Sequence, residues 1–200
     1  MVFQKVVVID ARDHMLGRLA SVVSKELLSG QAVVVVRCEQ VCVSGSMIRN
    51  EMKWARFLHK RTAPNPKCGP FHHVAPSRIL FRTIRGMVPH KTNRGATAMA
   101  HLKCFDGIPA PYDTMKKMVV PVALRVNRLR PGRNFTVLGE LSHKNGWKYK
   151  ELVKRLEATR IAKSAEFYAA KKAATAKVGA AKKSDQFAAV NAELAAGGFM

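Results

Sequence analysis

The chain's 200 residues carry 35 Lys and Arg against 13 Asp and Glu, a formal net charge of +22. Self-repulsion of that size works against a compact free monomer, so the charge calls for a polyanion: nucleic acid, an anionic membrane surface or an acidic protein. Hydrophobic residues still make up 48%, too many for a merely disordered basic tail, so a folded core with a basic exterior is expected, as one domain with an appendage or two small domains. The longest apolar runs, residues 6–9 and 32–36, fall far short of the roughly 20 residues a spanning helix needs. Residues 1–9 hold one basic residue before a very short apolar run, and Asp10, Arg12 and Asp13 follow directly, which is not the pattern of a secretory signal. Cys38, Cys42, Cys68 and Cys104 are accordingly expected to be reduced thiols in the cytosol or nucleus.

The first element is the β-branched run Lys5-Val-Val-Val-Ile9, a short strand of the buried kind, closed by Asp10. From Leu16 the apolar residues Leu16, Leu19, Val22 or Val23 and Leu27 recur at helical spacing, and Gly30 supplies the stop. A second strand is predicted over 32–37, with Val41 and Val43 continuing extended structure to the turn at Ser44-Gly45-Ser46. A second amphipathic helix is predicted over 47–60. Strand, helix, strand, helix predicts an α/β domain with a parallel sheet. Residues 62–76 are Pro-, Gly- and His-rich and predict a loop, Pro76-Ser77 a cap for a third helix over 78–86, and 94–102 a fourth helix before a short strand at 103–105. Pro109, Pro111, Pro121 and Pro131 predict mostly irregular chain over 107–133. A long helix is then expected from about Leu141 to about Lys172, followed by an Ala/Lys-rich tail with too little apolar surface for a core of its own. The expected division is a core over 1–141 and a basic helix and tail over 142–200.

The chemistry concentrates in residues 49–94. Arg49, Lys53, Arg56, Lys60, Arg61, Lys67, Arg78, Arg82, Arg85, Lys91 and Arg94 stand there against one acid, Glu51. Arg78, Arg82 and Arg85 step by four and three, so they share a helix face. Unbalanced like charges are unfavourable in a free helix, whereas against a phosphate backbone each releases condensed counterions. An ordinary solvated face mixes signs, and this one does not. His59, His72, His73, His90 and His101 lie among or just beyond these cations, and histidine there can stack on bases or bond phosphates. Arg128, Arg130 and Lys148 are the later basic candidates. Cys38 and Cys42 are spaced C-x3-C, and Cys68 with His72 and His73 could complete a zinc site. No second tight cysteine pair exists, however, and an extended segment would bury Cys38 and Cys42 as small hydrophobes on one face, so no metal is expected. Glu39 beside Arg37 is expected to be a structural ion pair. Phosphate-cradling and dinucleotide loops are both missing. Asp10, Asp13, Glu26, Glu39 and Glu51 are the only acids before Asp106, so paired carboxylates have little to draw on. No catalytic residue, cofactor or small-molecule substrate is expected. The competing readings are a chromatin or DNA-binding architectural protein, suggested by the Ala/Lys tail, and an RNA-processing enzyme, which would need the missing loop and acid pair.

Three strings in order resemble the universal large-subunit ribosomal protein L-thirteen family. Asp10-Ala with Leu16-Gly-Arg-Leu-Ala-Ser21 looks like its opening. Cys38-Glu-Gln-Val-Cys-Val-Ser-Gly45 is similar to its N-A-E-x-V-x-V-T-G strand and turn, with Arg37-Cys38 standing where the family has Asn-Ala. Arg85-Gly-Met-Val-Pro-His-Lys91, Arg94-Gly95 and Leu102-Lys-Cys-Phe-Asp-Gly107 resemble its third block. His90 to Gly95, Phe105-Asp-Gly-Ile-Pro-Ala-Pro-Tyr112, Val119-Val-Pro121 and Gly146-Trp-Lys-Tyr149 look like the eukaryotic and archaeal branch. The resemblance implies a three-layer α/β/α fold with a four-stranded, mainly parallel sheet and a long C-terminal helical extension. It implies a non-enzymatic constituent of the large subunit that binds large-subunit rRNA beside neighbouring ribosomal proteins, cytoplasmic after nucleolar assembly. It also adds Arg18, in the first string, as a residue that either contacts RNA or forms a salt bridge within the fold.

Overall fold

Four consecutive valines, Val33–Val36, present an apolar side chain to both faces of a strand, and such a strand needs cover above and below. In a computed structural model, which describes residues 4–182 and 188–197, this segment is β2 and all four valines are buried. It lies between β1 (Val7–Asp10) and β4 (Leu102–Cys104), and β1 pairs in turn with β5 (Lys117–Met118), giving the order β4-β2-β1-β5 with every pairing parallel. Val33 and Val35 face one core with Ile9, which Leu19, Val23 and Leu27 of α1 (Leu16–Ser29) complete together with Leu80 and Ile84 of α3 (Pro76–Met87). Val34 and Val36 face the other way with Val8, and Val6, Phe105, Ile108 and Tyr112 close that cluster. The α/β class with a parallel sheet is as the sequence predicts.

Extended chain does not continue from β2 through Val43. Arg37 takes a left-handed conformation (φ 56°), a 3-10 turn covers Cys38–Gln40, and the chain leaves the sheet. β3 (Cys42–Ser44) then pairs antiparallel with β6 (Phe135–Val137) in a separate two-stranded sheet. Arg37 grips Asp10 with both ends of its guanidinium, Nε donating to Oδ1 at 2.9 Å and Nη2 to Oδ2. Glu39 accepts the Gly107 N–H at 2.8 Å. A non-glycine residue at positive φ is costly, and this two-pronged bond holds Arg37 there.

Helix α2 (Met47–Leu58) ends two residues before the predicted limit. Helix α3 begins at Pro76, so Ser77 lies inside it and does not cap it. Its first turn is capped from elsewhere: the Ser77 N–H and hydroxyl donate to the two carboxylate oxygens of Asp106, both at 2.9 Å. Burial pushes the Asp106 carboxyl up, and these two bonds oppose the shift. α4 (Asn93–Ala100) follows, and the segment expected to be mostly irregular also holds the edge strand β5, a 3-10 turn at Pro121–Ala123 and the single turn α5 (Arg125–Arg128). The long helix expected from Leu141 is two helices, α6 (Leu138–Lys144) and α7 (Lys150–Lys182). They part where Gly146 adopts φ 104° and the buried Trp147 bonds back to the Ser142 carbonyl at 2.9 Å.

The chain divides into two units, residues 1–156 and 157–200. The first holds both sheets, α1 to α6 and the opening of α7. The second holds the rest of α7, where Arg160 and Glu157 pair at 2.8 Å, and α8 (Ala188–Ala196). Parts of the Ala/Lys-rich tail, residues 183–187 and 198–200, lie outside the described residues.

Burial raises the Asp10 carboxyl, but the bonds from Arg37 and from the Arg12 N–H outweigh it and hold the group below its ordinary value of 3.8. A depressed carboxylate stabilises the fold above that value and ceases to as pH falls through its folded value. Asp10→Asn is expected to cost roughly 3 kcal/mol at neutral pH, because it removes the carboxylate that meets Arg37 with two hydrogen bonds at a largely buried site. In thermal melts the gap between variant and wild type should narrow as pH is lowered from 6 through and below the ordinary carboxylate value of 3.8; a gap that persists would show that the ion pair is not the source.

Candidate RNA interface

Helix α2 buries a single residue, Asn50, so its register is set by polar contacts. Asn50 Nδ2 donates to Thr136 Oγ1 at 2.9 Å, and Thr136 donates to the Gly45 carbonyl at 2.9 Å. This ties α2 to the β3–β6 pair and turns Arg49, Lys53 and Arg56 outward, all three exposed. In α3 the apolar stripe Leu80 and Ile84 faces the core, which leaves Arg78, Arg82 and Arg85 exposed on the opposite side.

The loop between α2 and α3, carrying Lys60, Arg61 and Lys67, is held by Arg82. The Arg82 guanidinium lies 4.1 Å over the Phe57 ring, and its Nη1 donates to the Phe71 carbonyl at 2.8 Å. Phe57 meets His72 edge-on at 4.5 Å and Trp54 at 5.3 Å. Beyond α3, Arg85 Nη2 lies 3.1 Å from His90 Nε2. Thr92 caps α4 by accepting the Gly95 N–H at 3.2 Å. A Cβ at Gly95 would lie 2.0 Å from the Pro89 carbonyl oxygen, so only glycine lets α4 close against this turn. Lys91 and Arg94 therefore stand at the amino end of α4, where the helix dipole disfavours cations unless an anion is shared between them.

These contacts link α2, α3, α4 and their connections into a basic segment, residues 49–94, whose cations are all exposed. Among the described residues none of its eleven cations is ion-paired to an acid, and its one acid, Glu51, is taken by Lys144 at 2.8 Å. Arg18 is exposed in the first turn of α1 and has no ion pair among the described residues. Arg128 and Arg130 belong to a separate basic region. Arg128 is exposed and bonds the Val122 carbonyl at 2.8 Å, and Arg130 lines a 460 Å³ hollow with Arg125 and Arg133. Arg125 is half-buried, stacked 4.2 Å over Phe135 and 3.7 Å from Asp13, while Arg133 is open to solvent. Sequence reasoning passed over Arg133, although the recurrence of arginine at 125, 128, 130 and 133 was a usable signal. Lys148 is exposed in the α6–α7 connection.

Cys38 opens a 3-10 turn and is not in an extended segment, and it is buried in the core; Cys68 is exposed. Burial pushes both the Cys38 and the Cys42 thiol up. Among the described residues no three His, Cys, Asp or Glu side chains gather as a metal site, and no helix is long and apolar enough to cross a membrane.

Arg82 fastens the loop as well as contributing charge. Arg82→Ala should speed tryptic cleavage at Lys60, Arg61 and Lys67 in limited proteolysis while costing only about 1 kcal/mol of global stability. Cleavage at the wild-type rate would mean the loop is fastened elsewhere.

Compared with models of known families, residues 4–111 match the one described as ribosomal protein L13. The matched span is more than half of the chain and contains all three strings noted above, including the α3–α4 turn and Asp106. That family is structural and not enzymatic. The chain therefore belongs to the ribosomal protein L13 family, whose members are rRNA-binding proteins of the large ribosomal subunit.

Proposed function

We propose that this chain is a structural constituent of the 60S subunit in the eukaryotic and archaeal branch of its family, and that the α2–α4 surface holds large-subunit rRNA. The observation that carries this reading is an exposed set of eleven cations, residues 49–94, with no acid partner among the described residues. Neutralising phosphates is the chemistry such a surface can do, and it would fix rRNA segments by their backbone rather than their sequence. Arg18, His90, Arg128, Arg130 and Lys148 are proposed as further contacts.

The branch is supported by strings at and beyond the end of the matched span, Val119-Val-Pro121 and Gly146-Trp-Lys-Tyr149. The latter is the hinge between α6 and α7, where Gly146 and the buried Trp147 do structural work. Residues 1–141 are proposed as the RNA-binding core and 142–200 as the basic helix and tail. Neighbouring large-subunit proteins are the proposed protein partners. The proposed place of action is the cytoplasmic ribosome, reached through nucleolar assembly. Membership of a ribosomal family leaves the chromatin reading without an observation of its own.

Affinity of the full chain for deproteinised large-subunit rRNA should fall by roughly 10³–10⁵ between about 50 and 200 mM salt, as six to ten phosphate contacts require. Reversing Arg78 and Arg94 to Glu should weaken binding at least about tenfold and reduce the salt slope by about two, with the thermal midpoint unchanged. A flat salt profile, or wild-type affinity in the reversed variant, would contradict the proposal.

A further inference from the structure

Between α2 and α3 lies a cleft of 410 Å³ whose chemistry the phosphate-binding reading does not use. Trp54 and Phe57 of α2 provide aromatic wall, and Lys53, His73 and Arg82 provide cations or a stacking ring at the same cleft. None of its lining residues is acidic. Two of them carry a polar atom with no hydrogen-bond partner among the described residues: the Asn50 side-chain oxygen, an acceptor, and the Trp54 indole N–H, a donor. Asn50 is 2% exposed, so its unmet acceptor is not a solvated surface group.

A ligand suited to this cleft has an apolar body to lie against Trp54 and Phe57 and a negative charge to meet the cations beside them. An aliphatic side chain from a neighbouring protein offers only the first. A nucleobase offers the first by stacking, and its own phosphate offers the second. Resting on the RNA-binding reading above, the geometry points to this cleft as the pocket for one unpaired nucleobase of the bound rRNA, turned out of its stack between α2 and α3. The surrounding cations would then fix the backbone on either side while the cleft selects a place where a base is free. Such a pocket tells a bulged or looped site from a regular helix, which the phosphate contacts by themselves do not.

Ultraviolet crosslinking of the full chain in its complex with deproteinised large-subunit rRNA, followed by mass mapping of nucleotide adducts, tests this. An adduct on Trp54 or Phe57 is expected. Gly86 lines the cleft, and a Cβ there meets nothing within 4 Å, so bulk can enter at that point without a backbone clash. Gly86→Trp should abolish the cleft adduct and weaken binding about tenfold, the loss of one stacked base, while Gly86→Ala leaves both as in wild type. If Gly86→Trp fails to fold by circular dichroism, the wild-type adduct map decides. Adducts confined to the basic loop and to α3 and α4 would overturn the base pocket and leave the RNA-binding reading standing, and so would wild-type affinity in a folded Gly86→Trp. In intact large subunits, a crosslink from the cleft to another protein would assign the cleft to that protein instead. No RNA adduct anywhere on the chain would remove the RNA-binding reading itself.

Discussion

Carboxylates are scarce in this chain, and those of its first 106 residues are nearly all engaged inside the fold. Asp10 grips Arg37, Asp13 lies beside Arg12 and Arg125, Glu39 takes the Gly107 N–H, Glu51 pairs with Lys144 and Asp106 caps α3. Each of these contacts fixes a connection or a helix end where apolar packing offers little. The consequence appears elsewhere: with these acids committed to the frame, none among the described residues pairs with the cations of α2, α3 and α4. An uncompensated field of that kind is a cost in the free protein and an attraction toward a polyanion. The same shortage of acids thus bears on both the architecture and the proposed function.

The basic surface is positioned at a few polar points more than by a core. Arg37 turns the chain out of the main sheet, so that β3 can meet β6 and present Thr136 to Asn50. Arg82 fastens the loop by Phe57 and Phe71, and Asp106 holds the first turn of α3. Of the three helices α3 contributes most to the main core, through Leu80 and Ile84, and α4 adds Ala98. Such anchoring suits a surface that must remain polar on its outer side. It also leaves the α2–α3 cleft open, since no large apolar residue of α2 is buried to fill it.

Much of the frame was legible in the sequence because its signals are local. The β-branched runs gave β1 and β2, the Leu19, Val23 and Leu27 spacing gave α1, and the basic run gave the residues of the candidate surface. What was not legible depends on distant partners. β6 is three residues long and pairs with β3 across some ninety positions, so no periodicity announces it. The grip of Arg37 on Asp10 of the adjacent strand depends on a left-handed turn that no local spacing announces. The α6–α7 break was hidden by apolar residues spaced as for a single helix, although Gly146 marked it. Arg82 read as one more surface charge, because nothing in its spacing reveals that Phe57 and Phe71 lie against it.

The central claim is that the uncompensated cationic surface exists to hold the chain on the large ribosomal subunit. Sedimentation of cell lysate through a magnesium-containing sucrose gradient, probing for this chain, tests it most directly. The account predicts comigration with large subunits and polysomes, lost when high salt and EDTA strip the particles to cores. Absence from every ribosomal fraction, with the chain recovered in chromatin, would contradict it.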